Sequence, residues 1–360
     1  MKKIFYIVIL LSAMVSCEAP EVGYISDNIY ALEDTIFVPR GTFMTSAPPS
    51  VEGSTYPMHW EITGIRDKNG NPTNALQEEH EILIWKESFN PDTDTTLALA
   101  EAKLELADKP SILINDVSGE MAFTQASKFV PADENIFVLD VNVSNVRGER
   151  QLNDYVIVKL EDFKPVEFPK EMIVRNNLIK LDGSKKALFA SHLKNDYDDR
   201  VPGVLNGTDP YFAVKKTSEE PKQGVRVKMI ITDSDDTPFA PEKIVRYPNG
   251  ASYYQNFHDN STETTTDETG TTFSLPAPPF PQFGRNNWGE LMYYLSTKDA
   301  FTVDKEAYEA DYGEQDWSDY KVDETTGEIV CEAYIRWGIK INDSGSWEIK
   351  MRIPYSKKLE

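Results

Sequence analysis

Cysteine is nearly absent from this chain: two in 360 residues, at positions 17 and 331. A disulfide framework is thereby excluded as the source of stability, so the cores alone must supply it. Histidine is equally scarce, at 59, 80, 192 and 258, with no two at metal-ligand spacing. His80-Glu81 lacks the second histidine of the zinc-protease helix motif. There is no G-x-S-x-G elbow, no phosphate-cradling glycine loop and no dinucleotide fingerprint. Positive charge is also short. Lys and Arg number 37 against 59 Asp and Glu, a formal net charge of −22. A polyanion would be repelled by that field, which argues against a nucleic-acid partner. Long apolar runs are missing too, except for one.

That run is Ile4–Val15, preceded by Lys2 and Lys3 and followed by Ser16-Cys17. About 12 residues are too few to cross roughly 30 Å of hydrocarbon as a helix. The order of basic start, apolar stretch and cysteine is that of a secretory signal ending in a lipidation box. Residues 1–16 are expected to be a lipoprotein signal peptide, with Cys17 as the acylated residue and 17–24 as a tether. The protein surface is too acidic to hold anionic lipid, so acyl chains must do so. The expected place is the outer membrane, lipid-anchored, facing the cell exterior.

Beyond the tether, period-two alternation dominates. Met58, Trp60 and Ile62 share one face, as do Phe137, Leu139, Val141 and Val143. Thr95–Ala107 is the exception, where Ala, Leu, Glu and Lys favour a short helix. Phe163-Lys-Pro165-Val-Glu-Phe-Pro169 carries two prolines and reads as a hinge. The expected organisation is a β-sandwich over 25–162, a linker over 163–170 and a second β-rich domain over 171–357. The fold class expected is all-β: an immunoglobulin-like sandwich, then a larger antiparallel β-sandwich or jelly-roll-like domain.

The strongest alternation lies at the end of the chain. Ile329, Cys331, Ala333, Ile335, Trp337, Ile339 and Ile341 take every second position. After Asn342–Ser346, so do Trp347, Ile349, Met351 and Ile353. This pattern predicts a long hairpin with one buried face and Cys331 as an inert buried thiol. Asp259–Thr272 is polar and of low complexity, and is expected to be disordered, running into a proline-rich loop.

Gly23-Tyr-Ile-Ser-Asp-Asn28, Ile114-Asn-Asp-Val-Ser-Gly-Glu-Met-Ala-Phe-Thr124 and Phe137-Val-Leu-Asp-Val-Asn-Val-Ser-Asn-Val146 together resemble a family of uncharacterised Bacteroidota lipoproteins. The resemblance covers most of residues 23–160. It implies an immunoglobulin- or cadherin-like first domain. Such lipoproteins often accompany glycan-uptake outer-membrane complexes, which implies a surface glycan-binding role and a transporter partner. The calcium motifs of cadherin repeats are missing, so calcium is not carried over.

For a glycan binder the relevant residues are rings that face outward among polar groups, because sugars present flat C–H faces to stack upon. Trp60, Trp85, Trp337 and Trp347 fall in strands and are expected in cores. That leaves Trp288, Trp317, Tyr253, Tyr254, Tyr293, Tyr294 and Tyr320 as candidate ligand contacts. No catalytic residue and no cofactor is assigned, although 59 carboxylates leave a hydrolase pair open. Asp233, Asp235 and Asp236, and likewise Asp196, Asp198 and Asp199, are weak calcium candidates without the rest of an EF-hand loop. Asp304–Glu328, with ten acids and two bases, reads as solvated surface. Capture of a polysaccharide without catalysis is the leading expectation; a structural or assembly lipoprotein with a protein partner is the alternative.

Overall fold

The computed structural model describes residues 23–193, 212–246, 256–281, 290–296 and 301–359. The signal segment, Cys17, and Asp196, Asp198 and Asp199 lie outside them. The protein is mostly β, with several antiparallel sheets. It divides into two compact units, one of Met1–Ile82 with Leu106–Phe163, the other of Leu83–Glu105 with Lys164–Glu360. Among the described residues no helix is long and apolar enough to cross a membrane.

The first nine strands are β1 (Thr35–Pro39), β2 (Met44–Thr45), β3 (His59–Asp67), β4 (His80–Trp85), β5 (Leu104–Lys109), β6 (Ile112–Ile114), β7 (Met121–Phe123), β8 (Ile136–Asn145) and β9 (Gly148–Glu161). In the first unit a four-stranded sheet runs β1-β9-β8-β3 and a three-stranded sheet β2-β7-β6. Both supply one apolar core, with Val38, Trp60, Phe123, Phe137, Leu139, Val141, Val143 and Val158 buried. The alternation along β8 thus holds throughout. Along β3 it changes phase: a bulge between Ile62 and Gly64 leaves Ile62 half-buried and turns Ile65 inward instead.

Gly119, in the Ser-Gly turn before β7, has φ +74. A Cβ there would stand 2.6 Å from the Trp60 ring, so the turn needs glycine both for conformation and for close approach. Arg40, after β1, is buried, its guanidinium donating to the carbonyls of Val130, Pro131 and Glu134. Burial pushes its pKa down, with Asp162 opposing.

The helix expected over Thr95–Ala107 is short. α1 (Leu97–Glu101), capped by the Thr96 hydroxyl, gives way to β5, which pairs with β4. Five helical residues make too few intrahelical bonds to persist against a strand partner.

The second unit holds β10 (Val166–Ile179), β11 (Lys185–Leu193), β12 (Phe212–Ser218), β13 (Val225–Thr232), β14 (Val245–Arg246), α2 (Asn256–Asn260), β15 (Glu263–Asp267), β16 (Gly270–Leu275), β17 (Glu290–Ser296), β18 (Phe301–Val303), α3 (Lys305–Tyr312), β19 (Cys331–Ile341), β20 (Gly345–Arg352) and β21 (Ser356–Lys358). One five-stranded sheet is β11-β10-β19-β17-β14 and the other β12-β20-β13-β16-β15. They share a single core that includes Leu178, Val227, Phe273, Cys331, Ile335, Ile339, Ile349 and Met351. Val166 pairs with Ile341, so residues 166–170, expected within a linker, belong to a strand.

The terminal hairpin does not form. β19 and β20 are both strands, and each buries the predicted face, but they lie in different sheets. β19 pairs with β10 and β17; β20 pairs antiparallel with β12 and parallel with β13. Both strands are so apolar on one face that each is used inside its sheet rather than at an edge, where two neighbours satisfy its backbone. The Asn342 side chain, bonded to the Lys164 carbonyl at 3.1 Å, fixes the crossing, and the Gly345 amide bonds the Gly224 carbonyl at 2.9 Å.

Asp259–Thr272 is ordered rather than disordered. It holds the end of α2, all of β15 and the start of β16, joined by the Asp267–Gly270 turn. Threonine is β-branched and suits an edge strand, and the polar composition reflects that every residue of β15 is exposed. The proline-rich segment after it is packed: Ala277 and Phe280 are buried, and Phe280 exchanges backbone bonds with Ile341.

Candidate functional site

The richest polar–aromatic surface lies on α3 and the turn that follows it. Asp304 caps the helix, its carboxylate accepting from the Ala307 amide at 3.1 Å. Tyr308 and Tyr312 stand four residues apart and so share a helix face, with ring centroids 4.9 Å apart. Gly313, at φ +84, ends the helix and turns the chain back.

Tyr308 is the hub. Its ring meets Trp317 edge-on at 5.7 Å and Tyr355 edge-on at 5.3 Å. Tyr312 also meets Tyr355, at 5.8 Å, and Trp317 reaches Tyr320 at 6.1 Å. Tyr355 comes from a distant part of the chain, just before β21. It takes φ +53, its carbonyl accepts from the Asp304 amide, and its hydroxyl donates to Asp311 at 2.8 Å. The strand pair β18–β21 brings the two segments together.

The five rings are layered by exposure. Tyr320 and Tyr355 are buried, Tyr308 and Trp317 are half-buried, and Tyr312 is 61% exposed. The Tyr320 hydroxyl accepts from the Lys186 ammonium, which holds the Lys186 pKa above its ordinary value against slight desolvation. The Trp317 indole N–H donates to Glu309 at 2.6 Å. Asp316 sits alongside, its pKa lowered by bonds from the Ser318 amide and hydroxyl. The result is an apolar ring surface edged by acceptors that are already oriented. Both Glu309 and Asp311 are engaged as acceptors to rings.

Among the candidates from sequence, Trp317 and Tyr320 meet in this cluster. Tyr320 is not a surface contact as expected: it is 4% exposed, because its backbone bridges to Lys180 and draws the ring inward. Trp288, Tyr253 and Tyr254 lie outside the described residues. Tyr293 and Tyr294 lie on β17, paired with Ile335 and Tyr334 of β19. Tyr308, Tyr312 and Tyr355 were not expected. The first two carried a signal in their i, i+4 spacing; Tyr355 carried none, since its contact is made by tertiary pairing.

Trp60 and Trp347 are buried, as expected, and Trp85 is half-buried. Cys331 is fully buried, and burial pushes its thiol pKa well up.

The acidic turn at 233–236 is occupied by the protein's own donors. Asp233, buried, accepts from the amides of Asp235, Thr237 and Lys358. Asp236, against the upward push of burial, is held below its usual pKa by Arg352 and Lys350. Asp235 and Asp236 are both exposed, and Asp236 is already paired with Lys350 and Arg352. Cation binding there would have to break these bonds, so the calcium expectation finds no support in the geometry. Among the described residues no group of three or more His, Cys, Asp or Glu is placed to hold a metal ion.

A pocket in the first unit, between Leu32, Ser46, Gly119 and Tyr155, has a volume of about 10 Å³, room for one water. Enclosed small-molecule sites are roughly 300–1,000 Å³.

No family model matches the chain, and no curated protein sequence matches it. Among solved structures, the chain is distantly similar to a SusE-like surface-located polysaccharide-binding protein from the Bacteroides thetaiotaomicron heparin utilisation locus. That alignment has 6% identity and a TM-score of 0.23, covering 91% of this chain and 54% of that one. The chain therefore spans about half the length of that relative. The N-terminal four Ig domains of Dscam1 isoform 4.44 align at 8% identity with a TM-score of 0.19, over 76% of this chain and 70% of that one. Isoform 4.4 aligns at 8% identity and 0.20, over 92% and 74%. These likenesses assign no residue a role.

Proposed function

We propose that this chain is a lipid-anchored outer-surface protein that captures glycans without catalysis, its first unit an immunoglobulin-like sandwich and its second a larger β-sandwich carrying the binding surface. Its place would be the outer face of the outer membrane, beside a transporter. The observation that carries the reading is the ring cluster of α3. Exposed Tyr312 and half-exposed Trp317 offer ring surface for stacking, and the oxygens of Glu309 and Asp311 that Trp317 and Tyr355 do not use, with Asp316, would accept from sugar hydroxyls. An exposed ring surface suits a polymer that passes over the protein. The test is retardation of purified residues 18–360 in native gels containing a panel of neutral and charged polysaccharides. Retardation that Tyr312→Ala and Trp317→Ala both weaken supports the proposal; no retardation across the panel refutes it.

One observation favours a protein partner instead. β1 ends its sheet, and Phe37 on it is 52% exposed beside Ile157 at 38%. A free edge with apolar neighbours is a place for strand addition. Copurification of a stable partner, lost in Phe37→Lys, would support that reading.

A further inference from the structure

The described part of the first unit begins at Gly23, and its position fixes which end of the unit the preceding chain must approach. Gly23, at φ +93, packs against the stem of Arg147, and its amide bonds the Thr55 hydroxyl at 2.7 Å. The next carbonyl, of Tyr24, accepts from the Thr55 amide and from the Asn145 side chain. Asn145 pairs with Gly148 across the β8–β9 turn. Residues 23–24, 55–56 and 145–148 therefore meet at one end of the four-stranded sheet.

This end exposes apolar and amphipathic groups. Val146, at the tip of the turn, is 72% exposed, Tyr56 is 56% and Tyr24 is 45%. A tyrosine has an apolar body and a polar tip, the combination favoured at a membrane–water interface. Arg147 adds a cation with a long apolar stem. The opposite end of the same sheet is polar: Asp67 pairs with Phe137 where His59 pairs with Ser144, and beyond Asp67 come exposed Lys68, Asn69 and Gly70.

We infer that the end of the first unit formed by Tyr24, Tyr56 and the Val146-Arg147 tip is a membrane-contacting face that rests in the lipid interface. The inference rests on the reading of Cys17 as the lipid-bearing residue. Six residue steps separate Cys17 from Gly23, a reach of about 20 Å at most. On that reading the anchor holds this end of the unit within about 20 Å of the bilayer. The protein's acidity would keep an unanchored chain off the membrane; the contact needs only the tethered geometry and the local apolar groups.

The test uses the full lipidated protein in vesicles, with Val146→Cys or Asn69→Cys carrying a thiol-attached fluorophore. Cys331 is buried and does not compete. Asn69 is the control, about 30 Å along nine-residue β3 from the tip. Nitroxide on the lipid headgroup should remove more than half the emission at position 146 and little at position 69. Equal quenching at the two positions, or stronger quenching at 69, overturns the membrane-facing assignment. Intact mass of the same sample reads the anchor separately: an unacylated Cys17 strikes the anchor reading and this inference with it, whereas an acylated Cys17 with equal quenching strikes this inference alone.

Discussion

The Trp317 indole donates its N–H to the Glu309 carboxylate at 2.6 Å, across the end of α3. The bond fixes the ring's tilt without using its face; the ring packs against Tyr308 and Tyr320 and stays half-exposed. A stacking surface depends on rings held in one orientation, since ordering a free ring on binding would cost affinity. Trp317→Phe keeps a ring and removes the donor. It should destabilise the second unit by about 1 kcal/mol and loosen the ring. Thermal melts read the first effect and polysaccharide retardation the second.

Tyr312 is the most exposed ring of the cluster and contributes least to the core. Tyr312→Ala should therefore separate binding from folding. Glycan affinity is expected to fall about tenfold, the equivalent of roughly 1.4 kcal/mol, because a whole stacking face is lost. Stability should change by no more than about 0.5 kcal/mol. A loss of stability comparable to the loss of binding would mean that Tyr312 props the helix instead.

Gly119 is predicted to be intolerant. Alanine there meets both a φ of +74 and the Trp60 ring at 2.6 Å. The two penalties act together, and Gly119→Ala should cost about 2–3 kcal/mol. Gly53, with φ +81 and open space around its Cβ direction, isolates the conformational part alone. Gly53→Ala should cost about 1 kcal/mol. The difference between the two melts measures the ring contact.

Much of this arrangement was legible in the sequence, and the failures share a cause. Alternation reports which face of a strand is buried, and it did so for β8, β19 and β20. It says nothing about which strand lies alongside, so a chain that crosses between sheets at Asn342–Ser344 reads as a hairpin. Composition reports whether a segment can bury much apolar surface. Glu263–Asp267 cannot, yet an exposed edge strand needs only one paired neighbour, and β16 supplies it. The ring cluster shows the same limit. Tyr308 and Tyr312 are local and carry helical spacing, whereas Tyr355 joins them only through the β18–β21 pairing.

Asp267 provides a test in acid. Lys228 contacts its carboxylate at 2.6 Å, and the Thr269 hydroxyl and amide add two more bonds. These hold its pKa well below the ordinary carboxylate value, the Lys228 bond acting most strongly. A carboxyl with a depressed folded-state pKa binds its proton more readily when unfolded. Its contribution is therefore complete above the unfolded value, near pH 4, and is lost as pH falls from there through the lower folded value. The site is exposed, so the effect is modest and screened by salt. Asp267→Asn should lower the melting temperature at pH 7, and the gap from wild type should shrink steadily below about pH 4. Lys228→Ala should narrow the same gap at low ionic strength and less so in high salt. A gap that stays constant down to pH 2 would mean that the turn is held by its backbone alone, with the Asp267 charge idle.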